Sequence, residues 1–130
     1  MSDFNHNPLE KIVKPRIYIA GPYTAKEPYQ QNNNIEIAKQ VGMKFMRAGI
    51  DVYIPHMATA NLDFVAGYNY FMDLHLTFLK DWATDIIMID GWEKSKGSVI
   101  EFNKADQWGK KIWYERQVDT AIYHYLNGGK

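Results

Sequence analysis

The feature that most constrains the fold is the run Asp85-Ile86-Ile87-Met88-Ile89, which is followed at once by the polar, glycine-containing segment Asp90 to Gly97. Four consecutive apolar side chains point alternately to opposite sides of an extended chain, so both sides of this strand need cover. That condition is met in a parallel sheet with helices on both faces. Such sheets bind ligands in the crevice beyond the carboxyl ends of their strands, where the segment after Ile89 lies.

The flanking sequence has the alternation that such a sheet requires. Arg16-Ile17-Tyr18-Ile19-Ala20 reads as a first strand stopped by Gly21-Pro22, and a polar loop from Tyr23 to Gln31 follows. Asn34 is placed to cap a helix whose apolar positions Ile35, Ala38, Val41, Phe45 and Met46 recur at helical spacing, with Gly49 ending it. Asp51 to Ile54 reads as a second strand closed by Pro55-His56. Tyr70 to Trp82 reads as a helix with Phe71, Leu74, Phe78 and Leu79 on one face. The strand Asp85–Ile89, a helix from Ser98 to Trp108, a strand Lys111–Tyr114 and a closing helix Val118–Leu126 complete the order. Repeated strand–helix alternation with short links predicts an α/β fold: a single-domain, flavodoxin-like or Rossmann-like three-layer sandwich around a small parallel sheet, spanning residues 16–130 after a polar extension at 1–15.

Composition narrows the partners. The chain has 130 residues, 46% of them hydrophobic, enough to bury one core, and 15 basic against 15 acidic side chains mixed along its length. A balanced charge of this kind argues against a nucleic-acid polymer or a membrane surface as partner. No cysteine is present, so disulfides, thiolate metal ligands and a cysteine nucleophile are excluded. Met1 to Lys14 lacks an apolar signal core, and no run reaches the length of a membrane span, so a cytoplasmic location is expected. No carboxylate–histidine cluster has ligand spacing, and neither metal nor cofactor is expected.

Chemistry concentrates on the loop after the third strand. Ser95, Gly97 and Ser98 present hydroxyls and backbone N–H groups at the start of a helix, whose dipole favours an anion there, and Glu101 sits about one turn further in. Ser95 has a simpler role open to it as well, a helix cap contributing about 1 kcal/mol. Asp90 at the strand tip can contact a ligand or serve the turn before Gly91. His56 occupies the tip of the second strand, and Tyr23 and Trp92 are the aromatics on strand-tip loops.

Tyr18-Ile19-Ala20-Gly21-Pro22-Tyr23, Asn34-Ile35-x-x-Ala38, Ile54-Pro55-His56 and Asp90-Gly91-Trp92-Glu93-x-Ser95-x-Gly97-x-x-x-Glu101 together resemble the nucleoside 2-deoxyribosyltransferase superfamily, which includes deoxynucleoside 5'-monophosphate N-glycosidases. The similarity runs from Arg16 to Tyr114. It implies cleavage of the N-glycosidic bond of a 2'-deoxynucleoside or its 5'-monophosphate, with Glu101 attacking the anomeric carbon and the sugar passing to water or to another base. Tyr18 matches the tyrosine that holds this glutamate. Gly21, Tyr23, His56, Asp90, Trp92, Ser95, Gly97 and Ser98 fall where substrate contacts are expected, the Ser95 to Ser98 loop matching the one that receives a 5'-phosphate. The resemblance also implies a homo-oligomer.

Two departures stand out. Counting back from Asp85 puts Thr77 where the family has the aspartate that assists the leaving base, with Asp73 and Asp81 one turn to either side. Asp73 is preferred, since Asp73-Leu74 reproduces the family's local dipeptide. The residues after the last strand are fewer than in the transferases, so their tail contacts do not carry over. A non-catalytic nucleotide-binding module on the same fold is the alternative, favoured by Thr77. A flavodoxin-like phospho-acceptor regulator is disfavoured by Ala20-Gly21-Pro22, which stands where an acidic pair belongs.

Overall fold

A computed structural model describes residues 14–129; residues 1–13, most of the expected polar extension, lie outside them. Four parallel strands, β1 (Arg16–Ala20), β2 (Asp51–Tyr53), β3 (Asp85–Met88) and β4 (Lys111–Tyr114), form one sheet in the order β2-β1-β3-β4. Strand alternation sorts the core into two halves. Ile17, Ile19, Ile87 and Ile89 face helices α1 (Pro28–Arg47) and α5 (Val118–Leu126), packing with Ala38, Val41, Phe45, Val118 and Ala121. Tyr18, Ala20, Ile86 and Met88 face α3 (Tyr68–Asp81) and α4 (Lys96–Gln107), packing with Leu79 and Ala105. This is the expected three-layer α/β sandwich, and each fully buried isoleucine stabilises it by roughly 1.5–3 kcal/mol.

Element boundaries differ from expectation in three instructive places. Helix α1 begins at Pro28, ahead of Asn34, because proline at the first helical position presets φ, while the exposed residues that follow carry no apolar signal. Asn34 therefore caps nothing; its Nδ2 donates to the Tyr23 carbonyl at 3.2 Å. The second strand ends at Tyr53, and Ile54 becomes the cap of a short helix, α2 (Pro55–Thr59), again opened by a proline. Helix α3 buries His75 and Leu79, whereas Leu74 and Phe78, expected on its inner face, are more than a third exposed.

The sheet starts and ends differently in chemical terms. At its amino-terminal end the buried Asp85 carboxylate accepts hydrogen bonds from Trp113 Nε1 (2.8 Å), the Tyr125 hydroxyl and the Thr84 hydroxyl, tying β4 and α5 to β3. At the carboxyl-terminal end β1 and β3 close on each other: a Cβ on Gly21 would lie 2.7 Å from Ile89 Cβ, so only glycine fits there. The strand order changes direction about β1, the position above which sheets of this kind receive ligands in a crevice. Asp85→Ala leaves Trp113 and Tyr125 without their acceptor, while Thr84 can still donate to the Arg16 carbonyl at 3.2 Å, and is expected to lower stability by about 2–4 kcal/mol in urea denaturation.

Candidate active site

Strand β1, with Tyr18 at its middle, and the second turn of α4 bring Tyr18 and Glu101 together. Tyr18 is fully buried and Glu101 only 6% exposed, and the Tyr18 hydroxyl donates to Glu101 Oε2. Burial pushes the Glu101 carboxyl up to about 8, with the Tyr18 hydrogen bond pulling the other way. The effect is mutual. The Tyr18 phenol is held well above its ordinary range by burial first, then by the charge and hydrogen bond of Glu101. Tyr53 on β2 and Tyr68 at the start of α3 are likewise raised, by burial and then by Glu101. One carboxyl thus acts on phenols from three elements, and is hydrogen-bonded by the first of them.

The first turn of α4 is built as expected of a cap, with Ser95 Oγ accepting from the Ser98 N–H at 3.3 Å. Ser98, one turn before Glu101 on the same helix face, is 1% exposed, and its hydroxyl has no partner among the described residues. Gly97 lies against α3, where an added Cβ would come within 3.1 Å of Met72 Cε and 3.4 Å of the Tyr68 hydroxyl.

His56 sits against the residues that follow β1. Its Nε2 lies 3.1 Å from the carbonyls of both Gly21 and Pro22, which can only accept, so Nε2 carries the proton. Burial lowers its pKa, opposed by those two bonds, and Nδ1 is buried without a partner among the described residues. Tyr23 packs edge-on to His56, with ring centres 5.9 Å apart, and its hydroxyl donates to the Asp63 carboxylate at 2.8 Å, fastening the loop after β1 to the loop before α3. Asp90 is exposed and its N–H donates to Glu115 Oε1 at 2.9 Å, while Gly91 takes φ +90, the left-handed conformation the turn needs. Trp92 stacks on Phe102 at 4.6 Å and packs against the core, so one face of its ring is already occupied.

Helix α3 departs most from expectation. Asp73 and Asp81 are exposed on the face they share with Thr77, whose hydroxyl donates to the Asp73 carbonyl at 2.9 Å. Neither aspartate meets Glu101, because the face α3 turns inward carries His75. That imidazole is 7% exposed and bridges Thr59 Oγ1 (2.7 Å from Nε2) and the Tyr53 hydroxyl (3.0 Å from Nδ1). Burial, and then the neighbouring His56, lower it to about 4. Tyr53 pairs in register with Tyr18 and so shares its face, a relation set by the sheet rather than by any spacing in the sequence.

Residues 15–114 match a family profile described as a domain of unknown function (DUF4406). The chain belongs to this family. The matched segment runs from β1 through β4 and contains Tyr18, Tyr53, His56, His75, Ser98 and Glu101; α5 lies beyond it. No curated protein matches the chain. Among the described residues no helix is long and apolar enough to cross a membrane.

The raised Glu101 carboxyl has a consequence for stability. Between the ordinary carboxylate value and about 8 the folded protein keeps a proton that the unfolded chain releases. Stability from this group is therefore full at low pH and falls as pH rises through that interval. Wild-type stability, measured by urea denaturation from pH 5 to 8.5, is expected to fall relative to Glu101→Gln by more than about 1 kcal/mol. Parallel profiles would contradict the raised value.

Proposed function

We propose that this protein cleaves the N-glycosidic bond of 2'-deoxynucleosides or their 5'-monophosphates, with Glu101 as nucleophile and water or a second base as acceptor of the deoxyribosyl group. The observation that carries the reading is the buried Tyr18–Glu101 pair, which joins β1 to the second turn of α4. The bond breaks through a sugar that develops positive charge. A carboxylate in a low-dielectric site stabilises that charge strongly, and covalent capture divides one difficult displacement into two easier ones. The pair coincides with the residues that carry the resemblance to the nucleoside 2-deoxyribosyltransferase superfamily. Burial of Glu101 sets its cost: the carboxyl must lose its proton before it attacks, so kcat/KM should rise with pH towards about 8.

Two features favour a substrate that carries a phosphate. The unpartnered Ser98 hydroxyl and the N–H groups of the first turn of α4 meet beside Glu101, where the helix dipole attracts an anion. Pro22 after β1 argues the other way, since it has no N–H to offer an anion. The homo-oligomer implied by the resemblance would draw on exposed apolar side chains of α3 and its preceding loop, with Phe64 87% exposed and Tyr70, Leu74 and Phe78 also exposed.

The outward position of Asp73 and Asp81 favours a second reading, a nucleotide-binding module in which protonated Glu101 donates a hydrogen bond to its ligand. Incubation with each deoxynucleoside and deoxynucleotide, with and without free bases, separates the two. Catalysis predicts release or exchange of base by the wild type and a loss of orders of magnitude in a folded Glu101→Gln variant. Binding without turnover supports the second reading. Ser98→Ala is expected to raise KM for monophosphates more than for nucleosides, and an equal effect on both would remove phosphate from the substrate.

A further inference from the structure

Thr59, His75 and Tyr53 form a continuous hydrogen-bonded chain that ends beside Tyr18, the hydrogen-bond partner of Glu101. The chain begins at the end of α2, passes through the inward face of α3 and ends on β2, with distances of 2.7 Å and 3.0 Å between its polar atoms. Tyr53 is the register partner of Tyr18, and their ring centres are 5.8 Å apart. Two phenols thus stand side by side on one face of the sheet, one bonded to a carboxyl and the other to an imidazole. Phe78 stacks on the Tyr53 ring at 4.2 Å and Phe71 lies along His75, which fixes both rings. The titratable groups around the chain are Tyr18, Tyr68, Glu101 and His56, and the carboxylates of α3 point away from it.

We propose that this chain supplies the proton taken by the departing base, with the Tyr53 hydroxyl as donor and His75 and Thr59 as positioning residues. The proposal rests on the N-glycosidic activity proposed above. As Glu101 bonds to the anomeric carbon, the electron pair of the broken C–N bond goes to the base nitrogen. That nitrogen takes the Tyr53 proton. The phenolate left behind is held by His75 Nδ1–H, a tautomer set when the Thr59 hydroxyl donates to Nε2. Esterification removes the negative charge of Glu101, one of the influences that hold the Tyr53 phenol up, so the phenolate is least disfavoured at the moment it forms. In the second half, water or an incoming base gives a proton back to Tyr53 as it attacks the anomeric carbon, and Glu101 leaves as a carboxylate. An uncharged imidazole suits this role, because it donates at one nitrogen while accepting at the other.

The test compares leaving groups. Natural 2'-deoxynucleosides and their 5'-monophosphates need a proton on the departing base. Nicotinamide 2'-deoxyriboside and its 5'-phosphate do not, because the pyridine leaves as a neutral molecule. Tyr53→Phe and His75→Phe are expected to slow the first-turnover release of base from the natural substrates by about 10²–10⁴-fold while leaving first-turnover release of nicotinamide little changed. Glu101→Gln should slow both classes. Equal losses on the two classes, or no loss on either, would overturn the relay while leaving the activity standing. Wild type inert towards every compound would overturn the activity and the relay with it. Tyr53→Phe removes a single oxygen from a half-buried ring, so it decides the matter if His75→Phe fails to fold.

Discussion

Taking the Glu101 carboxyl out of water is the cost around which this end of the molecule is arranged. An isolated ionised carboxylate is strongly disfavoured in an apolar interior, and the hydrogen bond from Tyr18 offsets only part of that cost. The result is a group poised between its two protonation states near neutral pH, the condition suited to acid–base or nucleophilic work. Everything that fixes its position follows from the sheet. Tyr18 is held by β1, which pairs with β2 and β3 on either side, and α4 can deliver Glu101 to it because Ser95 caps the helix and Gly97 lets its first turn lie against α3.

The two ends of the sheet divide stability and chemistry between them. Asp85 at the amino-terminal end has its hydrogen bonds met by Thr84, Trp113 and Tyr125, and it locks β3, β4 and α5 together. Polar groups at the other end are left short of partners: among the described residues Ser98 Oγ and His56 Nδ1 are buried and unpaired. Unmet polar atoms inside a protein are costly, and their presence in the loops and helices that follow the strands fits a place where a ligand completes the bonding.

Much of this was legible because it depends on local pattern. The apolar run at Ile86–Ile89 implied a strand covered on both faces, and helical spacing located α5 at Val118–Leu126. Glu101 after the Ser-x-Gly segment was visible as a carboxylate one turn inside a helix. Helix α1 began earlier than expected because exposed polar residues at 28–34 obey helix geometry without advertising it, and only Pro28 marked the start. The inward face of α3 was read in part, with Leu79 buried as the apolar pattern implied and His75 missed for the opposite reason. Leu74 and Phe78 outrank a histidine in any hydrophobic pattern, yet His75 is buried because Thr59 and Tyr53, distant in sequence, satisfy both of its nitrogens. Pairings of that kind arise from topology, and no spacing along the chain announces them.

The central claim is that Glu101 bonds to the sugar. Rapid-quench mass spectrometry of the protein mixed with a 2'-deoxy-2'-fluoroarabinonucleoside or its 5'-monophosphate tests it most directly, because the fluorine slows both steps and lets an intermediate accumulate. The account predicts a pentosyl adduct on the peptide that carries Glu101, absent from Glu101→Gln. Base release without any adduct on that peptide, or an adduct on a different residue, would contradict it.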